Sequence, residues 1–350
     1  MITQYPIEDM VLAANLNKKY GIEVDKLEFI PMGDSAYSYR VDCINGQKYY
    51  LKLFDHQNER QRGGIARLSY YLPLTWQLYH EGIFKNITYP IKNVHDDYKT
   101  SFDAYTTVMF NFIEGETLAD AHPFPDDILK EVAKAMAAIQ RITTRIDLTS
   151  LPKEMFDISF VENLIKYMRK LEDPTLVDSR NPIVSTLREH IKTHKELIHT
   201  SLNYVLKLYD VVRNSSKEFV LCHGDVWGGN MIRHCHNMYL IDWESVVAAP
   251  PEYNFWGYLG NGFDVFYTAY VKQLNQPVAL NLDVLRFYSY RSHLKNLTNW
   301  LANILYGNNP EAQDNNDLDM IRNHCLNRIE PIESNILGVE AFLYKKRITF

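Results

Sequence analysis

Cysteine is scarce in this chain. Its four cysteines, Cys43, Cys222, Cys235 and Cys325, stand at irregular spacing in 350 residues, which excludes the dense disulfide framework of a small secreted domain. Their spacing also fails to match the paired Cys/His knuckles of a zinc site, even though His223, His234 and His236 lie near two of them. No apolar run approaches the ~18 residues needed to cross a bilayer. The opening residues Met1 to Asp9 hold neither a basic stretch nor an apolar core, so they do not read as a signal peptide. Basic charge is not in excess. Lys and Arg number 37 against 43 Asp and Glu, a net −6, whereas a nucleic-acid binder carries a basic footprint. An acidic balance sooner suits a cationic partner. No internal repeat or long low-complexity tract is present. The absences point to the reducing cytoplasm, with neither nucleic acid nor membrane as partner.

What is there suits a folded globular protein. Hydrophobic residues make up 46% and charged residues 23%, and the length allows one large or two ordinary domains. The 24 tyrosines suit half-polar pockets and interfaces. The first hundred residues read as strand-rich. Leu27–Ile30 and Tyr37–Asp42 flank a small-residue turn, and Asn45-Gly46 is a hairpin signal leading into Lys48–Phe54. A helix is expected within Ile65–His80, kinked or split at Pro73 and stopped at Gly82. Strands are expected near Ile87–Lys92 and Tyr105–Phe112. Beyond Gly115 the period changes. Ile128, Val132, Met136 and Ile139 mark a helix behind Asp126 and Asp127. Further helices are expected near 157–170, 184–210, 263–274, 282–305 and 317–327, with a polar surface loop from Asn308 to Asn316. The expected boundary lies near Phe112–Gly115, giving domains 1–112 and 113–350.

The chemistry concentrates in Phe219-Val-Leu-Cys-His223-Gly224-Asp225-Val-Trp-Gly-Gly-Asn230. A short apolar strand ends in His-Gly-Asp, and Asn230 follows Asp225 by five positions. Twelve residues later Asp242 ends a second apolar strand, with Trp243 and Glu244 behind it. Mg²⁺ takes oxygen ligands, commonly one or two carboxylates plus substrate phosphates. Asp242 and the Asn230 amide oxygen fit that need and leave Asp225 for an acceptor hydroxyl. The bland alternative is a pair of turn aspartates at strand ends, which are common.

His223-Gly224-Asp225-x-x-x-x-Asn230 followed by Ile241-Asp242-Trp243 resembles the signature of the aminoglycoside phosphotransferase family, relatives of the protein kinases, which use His-Arg-Asp-x-x-x-x-Asn and Asp-Phe-Gly. The trace from Tyr20-Gly21-Ile22 through the Gly33 turn is most similar to the family's spectinomycin phosphotransferase branch. The resemblance implies an α+β, protein-kinase-like fold of two lobes: an N-terminal antiparallel sheet, 1–112, that binds nucleotide, and a mainly helical lobe, 113–350, that carries catalysis and the acceptor. It implies ATP or GTP and Mg²⁺ as cofactors. Asp225 is then the catalytic aspartate, Asn230 and Asp242 the metal ligands, and Lys52 the contact to the α- and β-phosphates. The turn Met32–Ser38, with Gly33 and Ser35, would cover the phosphates. The segment Val108–Ile113 would be the hinge, with the Asn111 carbonyl and Ile113 N–H pairing with the purine. His223 would brace the loop rather than move protons. The implied reaction phosphorylates a hydroxyl of an aminoglycoside or aminocyclitol antibiotic, conferring resistance. The alternatives are a metabolic kinase acting on choline, homoserine or methylthioribose, or an inactive kinase-fold binding protein.

The chain departs from the family pattern in three ways. The phosphate turn carries Gly33 alone rather than a glycine-rich loop. The region 65–80 contains no Glu to pair with Lys52, which leaves Glu59 as the candidate. Pro251-Glu252-Tyr253 is followed by Asn254 where relatives often carry Asp. Glu244 reads equally as an acceptor-site or a solvated turn carboxylate. Glu252, Tyr253, Trp256, Tyr258, Asp264, Tyr267, Asp283 and Tyr288 are candidate lining of an acceptor pocket, though for any single one a surface or core role is the simpler reading.

Overall fold

The first element among the described residues is helix α1 (Asp9–Tyr20), ahead of the strands that the N-terminal sequence predicts. The computed structural model describes residues 7–31, 36–173, 175, 181–215, 218–235, 237–260, 262–307 and 309–348. The described residues pack as two units, one of Met1–Pro152 with His223–Val247, the other of Lys153–Cys222 with Ala248–Phe350.

In the first unit, β1 (Val24–Ile30), β2 (Tyr37–Cys43) and β3 (Lys48–Asp55) follow α1. Asn45-Gly46 turns the chain as expected, with Gly46 at φ +82°, and sets Asp42 opposite Lys48 and Tyr37 opposite Leu53. Helix α2 (Glu59–His80) comes next, then β4 (Thr100–Phe102) and β5 (Tyr105–Asn111). The strands form an antiparallel sheet in the order β1-β2-β3-β5-β4. Side chains alternate across a strand. Tyr39, Val41, Leu51, Leu53 and Met109 therefore share one face and bury Leu12, Leu16 and Tyr20 of α1. Lys52 points to the other face, in register with Ser38 and Val108.

Helix α2 starts six residues before the expected point and runs through Pro73 unbroken. Pro73 and Ser69, whose carbonyl loses its helical donor, both lie on the exposed face, where water can take the vacated acceptor. The segment 87–92 makes isolated bridges, Pro90 to Phe110 and Ile87 to Leu240, rather than a strand. Pro90 has no N–H to give a ladder. Helix α3 (Asp126–Ile142) buries Ile128, Val132, Met136 and Ile139, as their spacing predicts. The unit is completed by the hairpin Met231–His234 and Asn237–Leu240, with Glu116–Thr117 paired on its outer side.

The second unit is mainly helical: α4 (Phe160–Glu172), α5 (Pro182–Thr193), α6 (Lys195–Asn214), α7 (Phe263–Leu274), α8 (Leu282–Tyr306), α9 (Glu311–Asp319), a π-helical turn Met320–Cys325, α10 (Leu326–Ile329) and α11 (Ile332–Ile348). The single helix expected over 184–210 is two, divided at His194. Asn181 caps α5 by accepting the Ile183 and Val184 N–H groups, with Pro182 at the first helical position. The loop expected over 308–316 is largely α9. Most of its polar side chains are exposed, but buried Asp317 ties the helix to the fold by accepting from Asn303 Nδ2 and Gln313 Nε2, both at 2.8 Å. Helix α8 is the core of the unit, packing against α4, α6, α9 and α11. Asn254 donates to the Tyr270 hydroxyl at 3.3 Å, so the departure from Asp still yields a buried hydrogen bond. Glu252 accepts the Asn281 N–H at 2.7 Å, Tyr267 donates to the Val278 carbonyl at 2.7 Å, and Tyr288 is fully buried.

The Arg291 guanidinium meets Glu154 through two bonds of 2.8 and 3.0 Å, with each side chain 8% exposed. The Phe287 and Tyr288 rings flank it. Glu154 Oε1 also accepts the N–H of Phe156, which stands at φ +56°, a conformation disfavoured for an aromatic residue. Glu154→Ala therefore leaves a buried cation unpaired and frees a strained turn. It is expected to cost ~3–5 kcal/mol in urea unfolding, against well under half of that for an exposed carboxylate such as Glu162→Ala.

Candidate active site

The residues singled out as Lys52, Asn111, Ile113, Asp225, Asn230 and Asp242 all belong to the first unit. The loop after His223 is built on close backbone approach. Gly224 stands at φ +89°, and a Cβ there would lie 1.9 Å from the Ser245 carbonyl oxygen, so no other residue fits. Leu118 N–H donates to the Gly228 carbonyl at 2.9 Å and ties the loop to the chain after Gly115.

Asn230 is the hub of the loop. Its Nδ2 donates to both the carbonyl and Oδ2 of Asp225, at 2.9 Å each. Its own carbonyl accepts the Ile241 N–H at 3.0 Å. That bond extends the hairpin in which Met231 faces Leu240. The twelve-residue interval from Asn230 to Asp242 is thus the length of a hairpin that returns Asp242 to the catalytic loop. The sequence reading recognised the second strand but not its partner, Met231–His234. His223 is buried, and its Nε2 lies 2.9 Å from the Ile241 carbonyl as donor. Its ring stands edge-on to Trp243, 4.8 Å between centroids. It braces the loop against the hairpin, as anticipated.

Asp242 takes a left-handed conformation, φ +59° and ψ +68°, which aspartate tolerates better than most residues. Buried Trp243 holds the turn by donating from its indole to the Leu240 carbonyl at 3.1 Å. Asp242 Oδ1 then lies 2.9 Å from Lys52 Nζ, across 190 positions of sequence. An amphipathic-strand lysine is ordinarily solvated, yet Lys52 is only 6% exposed.

The carboxylate that completes the Lys52 pair is not Glu59. Glu59 is exposed in the first turn of α2. Glu244 Oε1 lies 2.7 Å from Lys52 Nζ, and Glu244 Oε2 lies 3.2 Å from Arg67 of α2. Glu244 is therefore a buried ion-pair residue and not a solvated turn carboxylate. Neither it nor Arg67 had been tied to Lys52. The available signal was the lack of a glutamate over 65–80 together with a carboxylate two residues past Asp242.

The charges are strongly coupled. Burial alone would pull the Lys52 ammonium down, but Asp242 and Glu244 outweigh it and hold it well above the ordinary lysine value. Burial works against the Asp242 charge as well, and Lys52 reverses it, so the Asp242 carboxyl titrates below the usual range. Burial lowers His223 to about 4, so it is neutral at pH 7. Asp225 retains accessible surface, yet desolvation by surrounding protein, followed by the Asp242 charge, raises it to about 6.

Asn111 is clamped to the chain beside it, its N–H donating to the Tyr89 carbonyl at 3.2 Å and its Oδ1 accepting the Tyr89 N–H at 2.7 Å. Ile113 follows two residues later and is buried. Gly33 and Ser35 lie outside the described residues. Magnesium fits the donors present. With Nδ2 engaged by Asp225, Asn230 presents an amide oxygen, and Asp242 contributes a carboxylate whose oxygen already faces a cation. Asp225, Asn230, Asp242 and Lys52 together bring a carboxylate with a raised pKa, a second carboxylate beside an amide, and a buried ammonium to one place, group types suited to positioning and neutralising a phosphoryl group.

Comparison with known proteins gives the same direction. The model of the phosphotransferase enzyme family matches residues 26–288. Among curated proteins none matches the sequence. Among solved structures the chain is similar to spectinomycin phosphotransferase APH(9)-Ia in complex with ADP and spectinomycin, at TM-score 0.76 and 18% identity, covering 95% of this chain and 99% of that one. It is similar to the choline kinase of Cryptosporidium parvum Iowa II at TM-score 0.54 and 15% identity, covering 96% and 100%. It is also similar to APH(2")-IIia in a GDP and kanamycin complex at TM-score 0.53 and 16% identity, covering 94% and 99%. These likenesses establish the kinase-like α+β fold.

One consequence is independent of substrate. The folded-state pKa of Asp225 lies above its ordinary value of 3.8, so its ionised form weakens the fold, and protonation removes that penalty as pH falls through about 6. Asp225→Asn is expected to melt a few degrees above wild type at pH 7.5 in chelator. The gap should close as the pH is lowered to about 4, read by differential scanning fluorimetry across a pH series.

Proposed function

Because the chain belongs to this phosphotransferase family, we propose that it is a small-molecule kinase that moves the γ-phosphate of ATP or GTP to a hydroxyl of an aminoglycoside or aminocyclitol antibiotic, and so confers resistance. The single observation that carries the reading is the convergence of Lys52 and Asp242 at 2.9 Å, with Asn230 bonded both to Asp225 and to the strand leading into Asp242. The similarity to a spectinomycin complex and the acidic balance of the chain support a cationic acceptor. Residues 1–112 are assigned to the nucleotide and 113–350 to catalysis and acceptor binding, with the cytoplasm as the place of action.

In this reading Asp225 orients the acceptor hydroxyl and accepts its proton as the new P–O bond forms. Lys52 neutralises the α- and β-phosphates. Asn230 Oδ1 and Asp242 would hold Mg²⁺, which supplies charge neutralisation on the phosphate oxygens when bound. Gly33 and Ser35 are assigned to the phosphates, and the Asn111 carbonyl and Ile113 N–H to the purine edge. His223 stays neutral and keeps the loop in place. Trp227, exposed two residues past Asp225, offers a ring face that suits a cationic acceptor.

The test is incubation with MgATP or MgGTP and a panel holding spectinomycin, aminoglycosides, choline, homoserine and methylthioribose. Transfer to an aminocyclitol or aminoglycoside is expected. Transfer to a metabolite alone would select the metabolic kinase, and neither transfer nor nucleotide binding would select the inactive binding protein. Asp225→Asn should lower kcat by ~10²–10⁴-fold with nucleotide Kd near wild type, measured by coupled assay and calorimetry. Asp242→Ala should abolish Mg²⁺-dependent turnover, and full turnover in either variant would remove the mechanistic assignment.

A further inference from the structure

We infer that Glu244 is the positioning residue for Lys52, and that Arg67 of α2 fixes Glu244 in turn, so that the helix beside the sheet contributes a cation to this ion network. The inference rests on the reading of Lys52 as the phosphate contact. A buried ammonium needs an anionic partner in every state the site visits. Asp242 is the carboxylate assigned to the metal, and the phosphates come and go with the nucleotide, so Glu244 Oε1, 2.7 Å from Lys52 Nζ, is the partner that stays in place throughout.

Glu244 is built for that duty. Its side chain is 8% exposed, and its two oxygens are divided between two cations, Lys52 at 2.7 Å and Arg67 at 3.2 Å. Its backbone carbonyl accepts from the Tyr70 hydroxyl at 3.3 Å, also from α2. It stands in the turn Trp243–Ser245, pinned by buried Trp243 on one side and by the close approach of Gly224 to Ser245 on the other. Helix α2 packs against both β3 and that turn. Two anions and two cations thus alternate as Asp242, Lys52, Glu244 and Arg67, while Glu59, the carboxylate of α2, is exposed.

A rival role for Glu244 is direct ligation of the metal, and electrostatics separates the two. Removing a negative charge beside a polyphosphate site should by itself strengthen nucleotide binding. If Glu244 acts through Lys52, its removal weakens binding instead, and does so only while Lys52 is present. The experiment measures Kd for ATP and GTP by isothermal titration calorimetry, with Mg²⁺ and in chelator, for Glu244→Gln, Lys52→Ala and the double variant, with melting curves to confirm folding. Expected is a loss of about tenfold or more for each single variant, the scale of one charge-assisted hydrogen bond, in both metal conditions. The double variant should bind no more weakly than Lys52→Ala.

Arg67→Leu should weaken binding a few-fold, and Arg67→Lys should restore most of it. This pair also reads the coupling from the more exposed side if Glu244→Gln fails to fold. Wild-type affinity in Glu244→Gln, losses that multiply in the double variant, or a loss seen only with Mg²⁺ would each overturn the inference. Wild-type affinity in Lys52→Ala would instead remove the phosphate role of Lys52 on which it stands.

Discussion

A buried ammonium organises this site. Lys52 sits on the face of the sheet opposite α1 and is only 6% exposed, so its charge is largely removed from water. An isolated cation in such a place would be strongly destabilising. The chain answers with Asp242 and Glu244, both on one short turn some 190 positions away. The requirement to neutralise one charge therefore dictates where the turn after the hairpin must lie, and with it the position of the residues that precede it.

The hairpin carries that constraint to the loop from His223 to Asn230. The Asn230 carbonyl to Ile241 N–H bond prolongs its ladder, the Asn230 amide reaches Asp225, and His223 grips the Ile241 carbonyl from below. Gly224 and Gly228 allow backbone approaches that a Cβ would forbid. Desolvation, and after it the nearby Asp242 charge, raises the pKa of Asp225, a carboxylate that stability alone would not choose. Such a group is a reason to look for chemistry at that position.

The second unit solves a different problem. Its central helix α8 is buried along most of its length, and where it buries a charge, at Arg291, the partner is the bidentate Glu154. Several residues that resembled pocket lining serve this core instead. Glu252 caps the entry to α8 and Tyr267 closes onto the Val278 carbonyl.

Local pattern was enough to read much of this protein. The hairpin signal Asn45-Gly46 between two runs of strand-forming residues marked β2 and β3, because a two-residue turn of that kind matches the twist of antiparallel strands. The spacing of Ile128, Val132, Met136 and Ile139 marked α3, because one face of a helix must be apolar. The loop from His223 to Asn230 was legible because its chemistry needs a particular aspartate and asparagine close together in sequence. What tertiary structure alone decided was partnership at long range. Helix α9 was hidden in a polar, largely exposed stretch whose one buried carboxylate, Asp317, takes a hydrogen bond from Asn303 of α8, and α1 by weak apolar patterning. The pairing of Lys52 with Glu244 rather than Glu59 was hidden for the same reason. An ion pair depends on distance in space, and no local rule of spacing records which of several carboxylates the fold will bring to a buried cation.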